Sequence, residues 1–330
     1  MRVSLKNFVV PSIPLAVFLV GTCFVIWMSA FIGTPYSTDT TINTSLVKSL
    51  QSVFSPDSLI SNLICYALTL LNAFLVAQIN NRFTIIRTRT FLPIFIFLIL
   101  ISSWNQTHVM MGSHLALMLF IFALFYFFTM SREQKASEQA FMGSFLISIS
   151  SILINPLIFI IPVCWIGFMI FQSFSLKTFL ASIFGTITPW ILYISVLYMI
   201  HPEIDFSSLI NVYYSIDLNL STFSMPEILY TVSMGLILII GLIGMFSISN
   251  SDAIKTRNKL NFLLFLFISV VILSFIFSNQ IKSFLPIIAL VYALLISHPL
   301  TLKQNNFYGI LFIIFCLINI AFVISKYFIF

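Results

Sequence analysis

Residues 140–200 read AFMGSFLISISSILINPLIFIIPVCWIGFMIFQSFSLKTFLASIFGTITPWILYISVLYMI, and this stretch decides the fold. Its sixty-one residues carry one charge, Lys177. It is too long for one bilayer crossing and too apolar for water. Breaks at Asn155-Pro156 and around Ser173–Thr178 cut it into three lengths of roughly 15–22 residues, close to the ~20 that cross a bilayer core. Three consecutive spans are therefore expected: Ala140–Ile154, Pro156–Phe171 and Phe179–Ile200.

The rest of the chain has the same character. Of its 330 residues 60% are hydrophobic and 7% charged, against about 25% charged in a soluble domain. No polar run approaches the ~50 residues of a separate soluble domain, so a single transmembrane domain over residues 1–330 is expected. The apolar runs lack the alternation of a β-barrel strand, which makes the fold class all-α. The net charge of +6 does not mark a nucleic-acid binder. Its Lys and Arg residues sit one to three at a time at the ends of apolar runs, not in a basic patch. Cys23, Cys65, Cys164 and Cys316 all lie inside apolar runs without CxxC spacing, which is the placement of small buried residues.

Eight further spans complete about eleven (a range of 10–12): Val9–Gly33, Ser58–Ile79, Thr90–Trp104, His114–Met130, Ile228–Ser249, Leu260–Phe277, Ile281–Ser297 and Phe307–Phe330. The first run exceeds the 7–15 apolar residues of a signal-peptide core, so it is read as a retained helix. Between spans one and two, residues 34–57 place Leu46, Val47, Leu50, Val53 and Phe54 at helical spacing among polar residues. That pattern describes an amphipathic helix lying in the interface. Residues 201–227 form a second polar segment, with Glu203, Asp205, Asp217 and Glu227 and no cation.

With the N-terminus in the cytoplasm and the C-terminus outside, twelve basic residues fall inside: Arg2, Lys6, Arg82, Arg87, Arg89, Arg132, Lys135, Lys177, Lys255, Arg257, Lys259 and Lys303. Lys48, Lys282 and Lys326 fall outside. This lopsided division is the positive-inside signature. It depends on Asn155-Pro156 separating two spans, because one long kinked helix there would reverse every later loop.

The order of parts resembles the membrane half of the GT-C glycosyltransferases. The likeness rests on the first helix, the outer loop 34–57, LLNAFLVAQINNRF (70–83) with its basic turn, HLALMLFIFALFYFF (114–128), the turn SREQKASEQ (131–139) and GSFLISISSILINPLIFIIPVCWIGFMIF (143–171). It covers about residues 1–200 and is one of layout. The chain also resembles an uncharacterised family of bacterial polytopic inner-membrane proteins, for which no activity is implied. The GT-C resemblance implies a similar arrangement of the first seven helices. It also implies transfer from a polyprenyl-phosphate-linked sugar at the outer face of the cytoplasmic membrane. Asp39, the acid after helix one, would be the general base. Two features depart from the family: the loop 105–113 has no acid, and no outward Arg is available to grip phosphate.

Candidate residues follow from these readings. Asp39 lies in PYSTDTT, where Asp equally caps helices and forms turns. Substrate contacts would fall to Lys48 and Lys282 for phosphate, and to His108, His114 and Glu203 on the same outer surface. The two histidines are six residues apart, not the i, i+4 of a helical metal pair, and no metal or cofactor is expected. Within the spans the polar residues are mostly amides, Asn62, Asn72, Gln78, Asn155 and Asn319, of the kind that bond neighbouring helices. The expected partners are the lipid bilayer, a polyprenyl-linked sugar and other membrane proteins. The alternative to a transferase is a non-catalytic membrane subunit of an envelope assembly, and after it a transporter.

Overall fold

A computed structural model describes residues 12–33, 58–109, 111–130, 136–200, 223–249, 251–303 and 305–328. The expected interfacial helix in 34–57 and most of the acidic segment 201–227 lie outside the described residues. Eleven α-helices run through the rest: α1 Ile13–Gly33, α2 Leu59–Phe83, α3 Leu92–Ser102, α4 Met111–Thr129, α5 Ala136–Leu153, α6 Ile161–Ile170, α7 Leu176–Ile200, α8 Met225–Ser249, α9 Ile254–Ile276, α10 Ile281–Leu302 and α11 Asn306–Phe328. Eight of the apolar helical stretches are long and apolar enough to cross a membrane; Leu92–Ser102 and Asn155–Ile170 are shorter apolar ones. The protein is an all-α polytopic membrane protein.

Contacts settle the Asn155-Pro156 question. Phe127, near the end of α4, lies against Gly143 near the start of α5, and its ring pairs with Phe168 near the end of α6 at 5.6 Å. Residues 143 and 168 therefore share one end of the bundle, and the chain has turned back between them. The turn is the 3-10 segment Asn155–Ile160. Pro156 lacks an N–H and cannot continue the α5 ladder, while Leu157 N–H closes the turn on Ile154 O at 3.0 Å. Phe159 at the tip stacks on Phe277 beyond the far end of α9, at 5.7 Å.

The basic residues gather as the charge pattern requires. Lys259 Nζ donates to Phe83 O at 2.9 Å, Asn258 Nδ2 to Ile170 O at 2.9 Å, and Arg87 pairs with Asp252 at 2.6 Å. We call this the basic end. Lys282 and Lys326 mark the opposite end.

One helix organises the bundle. α10 is buried along nearly its whole length and packs on α3, α8, α9, α4 and α11. At the periphery, α5 and α7 form the tightest pair. Ala140, Gly143, Ser144, Ser148 and Ser151 of α5 are buried, as are Thr178, Ser182, Gly185 and Pro189 of α7. Small residues let backbones approach where lipid gives no hydrophobic drive between helices. A Cβ on Gly185 would sit 2.5 Å from Phe141 O. Polar bonds lock the register: Trp190 Nε1 donates to Ser151 Oγ at 3.0 Å and Ser148 Oγ to Thr186 O at 2.6 Å.

Candidate functional site

The segment between α3 and α4 and the first turn of α4 carry His108 and His114, the histidines that the sequence places on the outer surface. Instead the segment folds inward as a 3-10 turn, Asn105–His108, and both His108 and His114 are fully buried. Thr107 starts the fold by donating to Ile101 O at 2.8 Å and Trp104 O at 2.7 Å. His114 Nε2 then meets Thr107 O at 2.8 Å, and His108 Nε2 meets Ser102 O at 3.2 Å. The His108 ring stacks on Trp27 of α1 at 4.0 Å. Trp27 Nε1 in turn donates to Ser102 Oγ at 3.2 Å, and Asn72 Nδ2 of α2 donates to His114 O at 3.1 Å. The physical reason is that a buried backbone turn must satisfy its polar groups within the protein. Burial holds the His108 imidazole well below its ordinary pKa; the nearby Lys326 acts in the same direction, while its bond to Ser102 opposes them. His108 is thus a neutral structural ring.

Beside this turn lies a second polar group, built by α11. Asn319 Oδ1 accepts from Tyr230 Oη at 2.8 Å and from Ser103 Oγ at 3.0 Å. Lys326 Nζ donates to Ser103 O and to Asn105 Oδ1, and lies 4.4 Å above the Phe322 ring. Glu227 accepts from Gln106 Nε2 at 3.3 Å and caps α8 by accepting from Ser224 N–H at 2.9 Å. Glu227 belongs to the acidic segment that the sequence singles out, whereas a lone Lys such as Lys326 gives no sequence signal of such a role.

Next to these groups is a cavity of about 290 Å³. Helices α8 and α9 both pack on α10 without packing closely on each other, and residues of all three line the cavity. Trp104, Tyr230, Met234, Phe267, Leu285 and Tyr292 are among its walls. Phe275 and Thr231 are exposed at its α8–α9 edge, so it faces the bilayer in the half away from the basic end. Every hydroxyl on its wall is already spoken for. Thr107 is bonded as above, and Tyr230 donates to Asn319. Thr231 donates to Glu227 O, Ser274 to Val271 O and Tyr292 to Met234 O. Their protons are engaged within the protein, and a hydrocarbon chain needs none of them.

Of the candidates from sequence, Lys282 is half-buried on the first turn of α10, next to Ile281 of the cavity wall. Asp39, Lys48 and Glu203 lie outside the described residues. Among the described residues no group of three His, Cys, Asp or Glu side chains is placed to hold a metal.

At the basic end a separate polar cluster spans three elements. Asp252, in the turn before α9, has a fully buried carboxylate that meets the half-exposed Arg87 at 2.6 Å and the buried His298 of α10 at 3.1 Å. Its geometry is that of a clamp joining the α2–α3 and α8–α9 connections to the central helix.

No curated protein and no solved structure matches the chain. Residues 40–328 match DUF6427, described as a family of unknown function. That match covers most of the sequence, and the chain belongs to the DUF6427 family.

Proposed function

We propose that this integral membrane protein binds a lipid by its apolar chain in the cleft between α8 and α9, with the headgroup emerging at the end opposite the basic residues. The observation that carries this reading is the wall of the cavity, apolar and with each of its hydroxyls internally bonded. Ligand pockets of ~300–1,000 Å³ are usual, so the space suits one stretch of chain and not a whole lipid. Lys282 beside the cavity gives a cation for a phosphate where the chain leaves it.

The lipid class we favour is a polyprenyl-phosphate-linked sugar at the outer face of a bacterial cytoplasmic membrane, in keeping with the GT-C-like order of the first helices. In that chemistry the Asp39 carboxylate takes the proton of an acceptor hydroxyl, whose oxygen attacks the anomeric carbon. The bond from that carbon to the phosphate oxygen breaks, and the lipid phosphate leaves with the electron pair. Lys48 and Lys282 would offset the phosphate charge, with Glu203 on the same surface.

The test uses a polyprenyl phosphate carrying a diazirine in its chain, and a phospholipid with the same group in its acyl chain. Gly235 lines the cavity, and a Cβ there meets nothing within 4 Å, so Gly235→Leu starts its side chain in open space and takes up part of the cavity. Light should attach the polyprenyl probe to α8 and α9 peptides in the wild type, and the label should fall at least tenfold in Gly235→Leu. Labelling of neither helix, or labelling unchanged by Gly235→Leu, removes the reading. Equal labelling by the phospholipid keeps the chain site and discards the polyprenyl class. Asp39→Asn then tests chemistry alone: an unaltered lipid-linked sugar pool, with the protein present in the membrane, ends the transferase reading.

A further inference from the structure

A groove of about 740 Å³ lies at the basic end, on the other side of the bundle from the lipid-chain cavity, between the last turns of α2 and α4 and the first turn of α5. Its composition changes along its length. Leu75 and Phe122 line the deeper part, Gln78, Phe125 and Tyr126 the middle, and Arg82 and Glu138 the mouth. This order, from hydrocarbon through amide and phenol to charge, follows the profile of one bilayer leaflet, with Tyr126 at the level where interfacial aromatics collect.

Two features of the groove are unexplained by the fold. Gln78 is an exposed amide about 7.5 Å short of the end of α2, and its side chain makes no hydrogen bond among the described residues. A polar group at that depth costs free energy unless something satisfies it. Arg82 and Glu138 are both exposed at the mouth, and neither is in an ion pair among the described residues. Arg82 is held over the groove by the rings of Phe83 and Phe125, at 5.7 and 5.8 Å.

We propose that this groove binds a phospholipid with a primary-amine headgroup from the leaflet at the basic end. The acyl chain lies along Leu75 and Phe122, and Gln78 donates to a glycerol ester carbonyl. Arg82 holds the phosphate, where a guanidinium can make paired hydrogen bonds. The headgroup ammonium donates to the Glu138 carboxylate. A glycerol headgroup offers Glu138 hydroxyl donors but no positive charge, and a choline headgroup has the charge but no N–H to donate. The arrangement therefore selects ethanolamine over both.

The experiment is native mass spectrometry of the full chain, delipidated in detergent and given equimolar phosphatidylethanolamine, phosphatidylglycerol and phosphatidylcholine. The wild type should retain phosphatidylethanolamine at least fivefold over the other two. Glu138→Gln should bring the three to parity, Arg82→Gln should lose all of them, and Gln78→Leu should weaken all without changing their order. These three residues are exposed, and unchanged melting of the lipid-free variants shows that they fold. Equal retention of the three lipids by the wild type, or a preference that survives Glu138→Gln, overturns the site. Gly235→Leu leaves the preference intact, so this result and that of the chain cavity are read independently.

Discussion

The two ends of the bundle bury their polar groups by different means. At the basic end Asp252 is buried against two cationic-type side chains, Arg87 and His298, and the cluster is solid. At the opposite end the polar groups are neutral or singly charged, shared among Trp27, His108, His114, Asn319, Tyr230 and Lys326, and roofed by rings. A cavity lies beside them. At the basic end a buried carboxylate has its charge offset by Arg87 and His298, and at the opposite end neutral hydrogen bonds satisfy buried groups without that desolvation cost. The difference separates an end that clamps from an end that can hold a guest.

The contrast can be broken most severely at Trp27. Trp27→Ala removes a fully buried ring, its stack on His108 and its bond to Ser102, and should cost about 4 kcal/mol. The unfolding midpoint in detergent against denaturant measures it. Next is Asp252→Ala, which leaves His298 buried without its carboxylate. The expected loss is about 3 kcal/mol, at the low end for a broken buried pair because Arg87 can turn to water. A loss below about 0.5 kcal/mol, the range of a surface pair, would deny the clamp.

Acid should act on the opposite end. His108 is held neutral in the folded state, with its pKa below the ordinary value, so the unfolded chain binds the extra proton as pH falls. Stability is therefore fully present above about pH 6.5 and declines below it, by at most about 1.4 kcal/mol per pH unit for one such group. Melting followed from neutral to mildly acid pH shows the slope, and His108→Phe, which keeps a ring against Trp27, should lessen it. The smallest effect belongs to Gly235→Leu. It fills open space and removes a mid-helix glycine, so stability should rise by about 0.5–1 kcal/mol while the chain site is lost. A destabilised Gly235→Leu would mean that the cavity is not open.

Much of the architecture is legible in the sequence. The stretch 140–200 yields three helices, α5, α6 and α7, of which only α7 is long and apolar enough to cross a membrane, and the turn at Asn155-Pro156 follows from proline lacking a donor. The buried amides Asn72 and Asn319 bond neighbouring helices, as intramembrane amides do. The loop 105–113 misleads, because a short uncharged polar segment looks solvent-exposed, whereas Thr107 and His108 fold inward, the His108 ring stacking on Trp27. Lys326 and the Arg87–Asp252–His298 cluster were missed for another reason. Their partners are far apart in the chain, and nothing in local spacing joins residue 87 to residues 252 and 298.

Hydropathy and the placement of cations were enough to determine an all-α membrane protein and the end at which its basic residues gather. Only the tertiary structure decided that α10 is central, that α8 and α9 stand apart, and that a cavity lies between them. The reason is physical. Lipid is as apolar as a protein interior, so a sequence of Leu, Ile and Phe reads the same whether its neighbours are acyl chains or other helices.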